Sequence, residues 1–221
     1  MLITMELRWF YRGTIPPAIA QWFQQPELGE FLEASAQRED TYLLLPGHDY
    51  LGLKLRQGTL EVKLRQAELG VQDFDSSWQG RVEQWVKWSA DSSPPVEVMS
   101  EAPIPQGTWI SVQKARSQRQ YEVLPNQTCV VVPLTQATTT RCTMELTQLA
   151  VNTTDCNTTD WWSLAFEATG DRAFAGLKTV VNWVSHTQCP MPPREEDSFA
   201  YPHWLIKTVK PASPLNKDSK E

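Results

Sequence analysis

The chain is short of the residue patterns that usually announce a function. Its four cysteines, Cys129, Cys142, Cys156 and Cys189, include no CxxC pair and none stands with histidine at zinc-finger spacing, which excludes a zinc ribbon or finger. They read as reduced thiols, with a Cys142–Cys156 disulfide as the alternative. The three histidines, His48, His186 and His203, lie far apart, the usual distribution of turn and surface residues. No glycine-rich phosphate loop, nucleophile elbow or HExxH helix occurs, so P-loop, α/β-hydrolase and zincin chemistries find no support. There is no run of about 18 apolar residues and no basic segment followed by an apolar one at the start. A membrane span and export are therefore not expected, and the chain reads as cytoplasmic. The three Asn-x-Thr sequons at Asn126, Asn152 and Asn157 would matter only in a secreted protein. Positive charge is not in excess either: the formal net charge is −6 and the pI about 5.2. That argues against a general nucleic-acid binder, although a local basic groove inside an acidic shell remains compatible with it. No repeat of about 20–50 residues is present.

What the chain does have is strand-like alternation. At 221 residues, with 41% hydrophobic content and ten tryptophans, it can build one sizeable core dominated by aromatics. Tyr50–Arg65 reads YLGLKLRQGTLEVKLR, two alternating runs around a Gln57-Gly58 turn. Side chains on a strand alternate between faces, so each run has a leucine/valine face and an ionic face. Ile3–Arg12, Asp40–Pro46, Arg81–Trp88, Trp109–Arg116, Gln118–Leu124, Cys129–Leu134, Thr139–Val151 and Trp161–Thr169 are further expected strands. Pro16-Pro17 opens a short helix with Ile19, Trp22 and Phe23 in its apolar stripe, and Asp171–His186 is a longer amphipathic helix. Ser89–Gln106 is expected to be a loop. The expected fold is mainly β (α+β): a closed antiparallel barrel over residues 1–188 with a few helices packed outside. A Pro-rich extension, 189–221, carries an aromatic anchor at Tyr201–Leu205 and a disordered end from about Pro211.

The ionic faces recur in order: Glu6 and Arg8; Lys54 and Arg56; Glu61, Lys63 and Arg65; Arg81, Glu83 and Lys87; Lys114 and Arg116; Glu145; Glu167. On any single strand such a face simply meets solvent. On many successive strands it describes a barrel lumen rich in cations with several carboxylates. Guanidinium forks grip phosphate oxygens in pairs and ammonium groups add point charge, so a polyphosphate-like anion suits such a lumen. The tryptophan and leucine faces would then need cover outside, which the two helices and the aromatic tail could provide.

This arrangement resembles the CYTH domain, the fold of the triphosphate tunnel metalloenzymes. Thr4-Met5-Glu6-Leu7-Arg8 stands where that family has Glu-x-Glu-x-Lys, and Trp9-Phe10 follows as its aromatic pair. Asp40-Thr41-Tyr42-Leu43, Leu53-Lys54-Leu55-Arg56, Leu60-Glu61-Val62-Lys63, Arg81-Val82-Glu83, Lys114-Ala115-Arg116, Met144-Glu145-Leu146 and Leu164-Ala165-Phe166-Glu167 resemble its later strands, in order over about residues 3–186. The opening motif is incomplete: Thr4 replaces a glutamate and Arg8 a lysine, and Ala165 replaces the first glutamate of a late Glu-x-Glu.

The resemblance implies a tunnel that binds a phosphorylated anion (triphosphate, polyphosphate or nucleotide). It extends to a metal-dependent triphosphatase. The implied phosphate-binding set is Arg8, Lys54, Arg56, Lys63, Arg65, Arg81, Lys87, Lys114 and Arg116. The implied metal set is Glu6, Glu145 and Glu167, holding Mg2+ or Mn2+. No catalytic residue is assigned. Thr4 and Ala165 remove about half of the metal-binding carboxylates, so the cationic half of the tunnel is better kept than the metal half. The partner is a small phosphorylated anion, with neither nucleic acid nor membrane. Two alternatives stand beside this: a non-catalytic phosphate-ligand sensor, and a calycin-like carrier with an apolar lumen and its cations outside.

Overall fold

The computed structural model describes residues 1–29, 32–75, 78–91, 109–152 and 158–209. Nine strands are present among them: β1 (Leu2–Arg12), β2 (Leu32–Leu43), β3 (Leu51–Arg56), β4 (Thr59–Asp73), β5 (Gln79–Asp91), β6 (Trp109–Val123), β7 (Cys129–Val132), β8 (Arg141–Asn152) and β9 (Thr158–Thr169). Three α-helices accompany them: α1 (Pro17–Phe23), α2 (Ala173–Ser185) and α3 (Tyr201–Thr208). The sheet runs β2-β3-β4-β5-β1-β9-β8-β6, and a β2–β6 pairing closes it into an antiparallel barrel of eight strands. Strand β7 hangs from the far end of β6, opposite Gln120–Val123. Closure leaves the eight barrel strands without a free edge. No helix among the described residues is long and apolar enough to cross a membrane.

The β3–β4 hairpin turns where the sequence places it. Gln57 and Gly58 have φ of 48° and 81°, and Arg56 pairs with Thr59. Positive φ at both central residues is the two-residue turn whose twist matches the flanking strands. Strand β4 runs well past the hairpin, to Asp73, with register shifts at Arg65/Ala67 and Glu68/Gly70. Those bulges break the period-two pattern, which hides the second half of the strand in the sequence. The two strands expected around Ser117 are one, β6: Ser117 pairs with Leu146, and no proline or glycine interrupts the run. Strand β5 continues through Asp91. The rest of the expected 89–106 loop, and the tail from Pro211, lie outside the described residues.

Alternation sends the two faces of β1 to different surroundings. Leu7 and Trp9 point outward into a buried cluster with Trp78, Phe166, Ile19 and Trp22 of α1, and Leu177, Val180 and Val184 of α2. The rings of Trp9 and Trp78 meet edge-on at 5.9 Å. Helix α2 lies across β9, β8, β1 and β6, and starts after Gly170, whose φ is +106°. A Cβ there would come within 2.2 Å of the Thr139 carbonyl oxygen, so only glycine fits this turn.

The other face of β1 carries Glu6, Arg8 and Phe10. Phe10 belongs to a second buried cluster with Tyr42, Ile110, Val112, Leu149 and Val151, and α3 adds Trp204 and Leu205 to it. Phe10 stacks on Trp204 at 4.6 Å. The aromatic tail therefore packs against lumen-facing residues, whereas the sequence suggested it as outside cover. Ser198 stitches its approach to the wall: it donates to the Arg8 carbonyl at 3.1 Å and accepts from the Arg81 N–H at 2.8 Å.

Helix α1 is held by a buried arginine. Arg119, on the outer face of β6, donates to the carbonyls of Phe23 at 2.9 Å and Gly29, where α1 and the following turn end. The hydroxyl of Tyr121 donates to the Leu28 carbonyl beside it. These are the carbonyls a helix end leaves without intrahelical partners. Replacing Arg119 with methionine keeps the bulk but orphans them. The expected cost is about 2–4 kcal/mol, measured by urea unfolding.

Candidate functional site

The ionic faces enclose a cavity of about 190 Å3. Among the described residues, eight cationic side chains line it: Arg8, Arg38, Lys54, Arg56, Lys63, Lys87, Lys114 and Arg116. Four glutamates line it with them, Glu6, Glu61, Glu145 and Glu167, and Asp40 lies fully buried behind. Each carboxylate is paired, and three of the five are shared between cations. Glu145 takes Arg8 at 3.2 Å on one oxygen and Arg116 at 3.0 Å on the other. Asp40 receives the Arg56 fork at 2.7 and 3.1 Å, with the Lys114 ammonium at 3.0 Å. Glu61 meets Lys54 at 2.6 Å, Lys87 at 3.2 Å and Arg56 at 3.3 Å. Lys63 bridges Glu6 at 2.5 Å and Glu167 at 3.6 Å.

Seven of the nine cations in the expected phosphate-binding set thus converge. The other two stand apart from the lining. Arg65 is taken by Glu83, Glu68 and Asp49 at 2.9, 2.7 and 3.2 Å, and Arg81 pairs with Glu195 at 2.6 Å, half exposed. Arg38, Asp40, Tyr42 and Tyr201 join the site without standing in either expected ligand set, although Asp40 and Tyr42 belong to one of the strand motifs that carry the resemblance. Arg38 lies on the Asp40–Tyr42 face of β2, so extending the alternation upstream of Asp40 would have found it. Tyr201 reaches the cavity from α3, with the Lys114 ammonium 4.2 Å from its ring, a placement only the folded chain reveals.

Burial and pairing pull the titrating groups in opposite directions. Burial alone would raise the carboxyl of Glu145, but Arg8 and Arg116 outweigh it and bring it down to about 2. Glu61 falls to about 2 against its burial through Lys54 and Arg56. Asp40 is held well below the usual range, the Arg56 hydrogen bond and Lys114 overcoming desolvation. Burial dominates for two lysines instead. Lys54 drops to about 8, pushed further by Arg56, and Lys114 falls well below its ordinary value. Lys63 is raised, because Glu6 and Glu167 outweigh its desolvation.

The Nε atoms of Arg38 and Arg116 are sealed from solvent and donate no hydrogen bond within the protein, Arg38 Nε lying 3.8 Å from Asp40. Buried donors without a hydrogen-bond acceptor are costly.

The expected metal ligands fit a metal poorly. Glu6 and Glu167 face each other across β1 and β9, while Glu145 stands opposite Ala165. Both Glu145 oxygens are engaged by guanidinium groups, and Glu6 is engaged by Lys63 and by the Thr4 hydroxyl at 2.7 Å. Among the described residues no three His, Cys, Asp or Glu side chains group so as to hold a metal ion. The thiols of Cys129, Cys142 and Cys189 are free, and Cys156 lies outside the described residues. Burial raises the Cys129 thiol to about 11, far from a reactive thiolate.

No protein-family model and no curated protein matches this chain. Among solved structures, S. pombe Pct1 RNA triphosphatase in complex with the Spt5 CTD is similar over 82% of this chain and 80% of that one, at 13% identity and a TM-score of 0.36. A likeness this distant says nothing about what the present chain binds.

The depressed carboxyls set the acid limit of the fold. Glu61 and Glu145 titrate near 2 when folded and near the ordinary 4.5 when unfolded, so their stabilisation is fully present above about pH 4.5. It is lost progressively as the pH falls towards 2. Urea unfolding at pH 5, 4 and 3 should show a steady fall in stability, and a flat profile would contradict the shared-carboxylate network.

Proposed function

We propose that this protein binds a phosphorylated anion, of the triphosphate, polyphosphate or nucleotide class, inside its barrel. The observation that carries the reading is the imbalance in the cavity: eight basic side chains around five carboxylates that are already paired with them. Phosphate oxygens accept charge-assisted hydrogen bonds in pairs from guanidinium forks, which suits Arg8, Arg38, Arg56 and Arg116, while Lys54 and Lys87 add charge. The order of the ionic strands and their inward facing also fit the CYTH-like resemblance. An apolar carrier fits less well, because Lys54, Arg56 and Lys63 line the cavity and do not stand in bulk solvent.

Binding is favoured over turnover. Phosphoryl transfer needs a metal or preorganised charge at the developing transition state and a group to position the nucleophile. Here every cavity carboxylate is held by at least one cation, and Thr4 and Ala165 stand where the resemblance places two more glutamates. Release of phosphate from tripolyphosphate in the presence of Mn2+ would restore the triphosphatase reading.

Isothermal titration of the intact chain with tripolyphosphate tests the proposal. Saturable binding that weakens with added salt is expected, and no heat of binding at low ionic strength would exclude it. Arg38→Ala and Arg116→Ala should each weaken binding by about tenfold or more, since each removes charged donors to the anion.

The pH dependence follows from Lys54, whose ammonium is brought down to about 8 mainly by burial. An anion binds the protonated form, so affinity is highest below that pH and falls as the pH rises through it. Between pH 7 and pH 9 the dissociation constant should rise about tenfold, and Lys54→Arg, which keeps its charge, should flatten this step.

A further inference from the structure

We propose that the tunnel takes its polyanion as the free, metal-uncomplexed species, with the Lys63 ammonium holding the Glu6–Glu167 pair together where a divalent cation would otherwise bridge it. The inference rests on the anion-binding reading above and goes beyond it by naming the ionic form of the ligand. Glu6 and Glu167 are register partners on adjacent strands, so their carboxylates converge on one point of the lumen. Two carboxylates this close repel unless a cation lies between them. Lys63 reaches across from β4 and supplies it, 2.5 Å from Glu6 and 3.6 Å from Glu167. Thr4 completes the arrangement: its buried hydroxyl donates to the same Glu6 oxygen, which leaves that oxygen fully occupied.

A Mg2+ ion needs about six oxygen ligands at about 2.0–2.1 Å and gives up its waters reluctantly. The tunnel offers no carboxylate without a cationic partner among its described lining residues. A metal entering with the ligand would therefore meet a wall of ammonium and guanidinium groups, and would already have neutralised part of the ligand charge that draws it in. Mg2+ and the tunnel thus compete for the same phosphate oxygens. The chemical class selected is a compact, highly charged phosphate chain free of divalent cation.

Titration of the whole chain with tripolyphosphate, once with chelator and once with excess Mg2+, separates the possibilities. The expected result is binding in chelator and an apparent affinity about tenfold or more weaker in Mg2+, tracking the concentration of free anion. Binding that requires Mg2+, or tightens with it, overturns the inference and leaves the anion-binding reading intact. Binding in neither condition overturns that reading itself. A second measurement addresses Lys63 directly. By electron paramagnetic resonance of free Mn2+, the wild-type chain should bind no Mn2+, whereas Lys63→Gln, which frees Glu6 and Glu167, should gain a site. A wild-type Mn2+ site, or no gain in the variant, would refute Lys63 as the cation that stands in for the metal.

Discussion

The constraint on which the structure depends is the sharing of a few carboxylates among many partly buried cations. Eight ammonium and guanidinium groups cannot leave bulk water for a barrel lumen unless their charge is answered there. Asp40, Glu61 and Glu145 each answer at least two of them, and Lys63 answers two carboxylates in turn. Such a network holds long side chains in fixed positions, because moving one leaves another unpaired. It also stops short of neutrality, and the remainder is the electrostatic demand that an anion can meet. Rigidity and the surplus of positive charge thus have one source. The carboxylates are the frame that keeps like charges a few ångströms apart before any ligand arrives.

A polar lumen dictates the rest of the fold. In a small barrel with an apolar interior, the core is the lumen and the outside can be wet. Here the apolar faces of the strands point outward and need cover, which explains a tryptophan-rich chain with helices laid across β1, β9, β8 and β6. Trp9, Trp22, Trp78 and Phe166 form an edge-to-face cluster there that would be out of place in an ordinary barrel of this size. Elsewhere cover is thinner, and Leu64 and Trp88 on the outer faces of β4 and β5 remain partly exposed. The lumen itself is not polar throughout. Phe10, Tyr42, Ile110 and Leu149 gather around Trp204 and Leu205, so the ionic cavity abuts an aromatic block contributed partly by α3.

The barrel and most of its cavity are legible in the sequence because both rest on alternation. A period of two fixes which side chains share a face whatever the tertiary arrangement, so alternation alone groups Arg8, Lys54, Arg56, Lys63, Lys87, Lys114 and Arg116 on the ionic faces. It does not say how far along a tilted strand the cavity extends. Arg65 and Arg81 lie on the expected faces, yet local acids, Glu83 and Glu195 above all, hold them outside the lining. Alternation also fails where bulges break it, as in the second half of β4, and where a residue arrives from a distant element, as Tyr201 does. Ser117 shows the opposite error. A small polar residue inside a polar stretch, Gln113–Gln120, resembles a break, but pairing on both sides carries β6 straight through it.

Thr4 and Ala165 gain their meaning from the neighbours that the fold supplies. Thr4 is fully buried and spends its hydroxyl on Glu6, so it turns a place for charge into a restraint on the remaining carboxylate. Ala165 stands directly opposite both Arg8 and Glu145 on the adjoining strands. A carboxylate there would compete with Glu145 for Arg8. Without it, Glu145 keeps both Arg8 and Arg116 as its cationic partners, with Gln118 and Thr147 donating beside them. Neither residue adds a carboxylate to the lumen, whose lining holds eight basic side chains and four glutamates. Arginine at position 8 points the same way. A guanidinium is broad, weakly hydrated and always charged, so it can span Glu145 and a guest oxygen together, which a compact ammonium does less well. Thr4, Arg8 and Ala165 therefore read, in this cavity, as one consistent set built around a cationic wall.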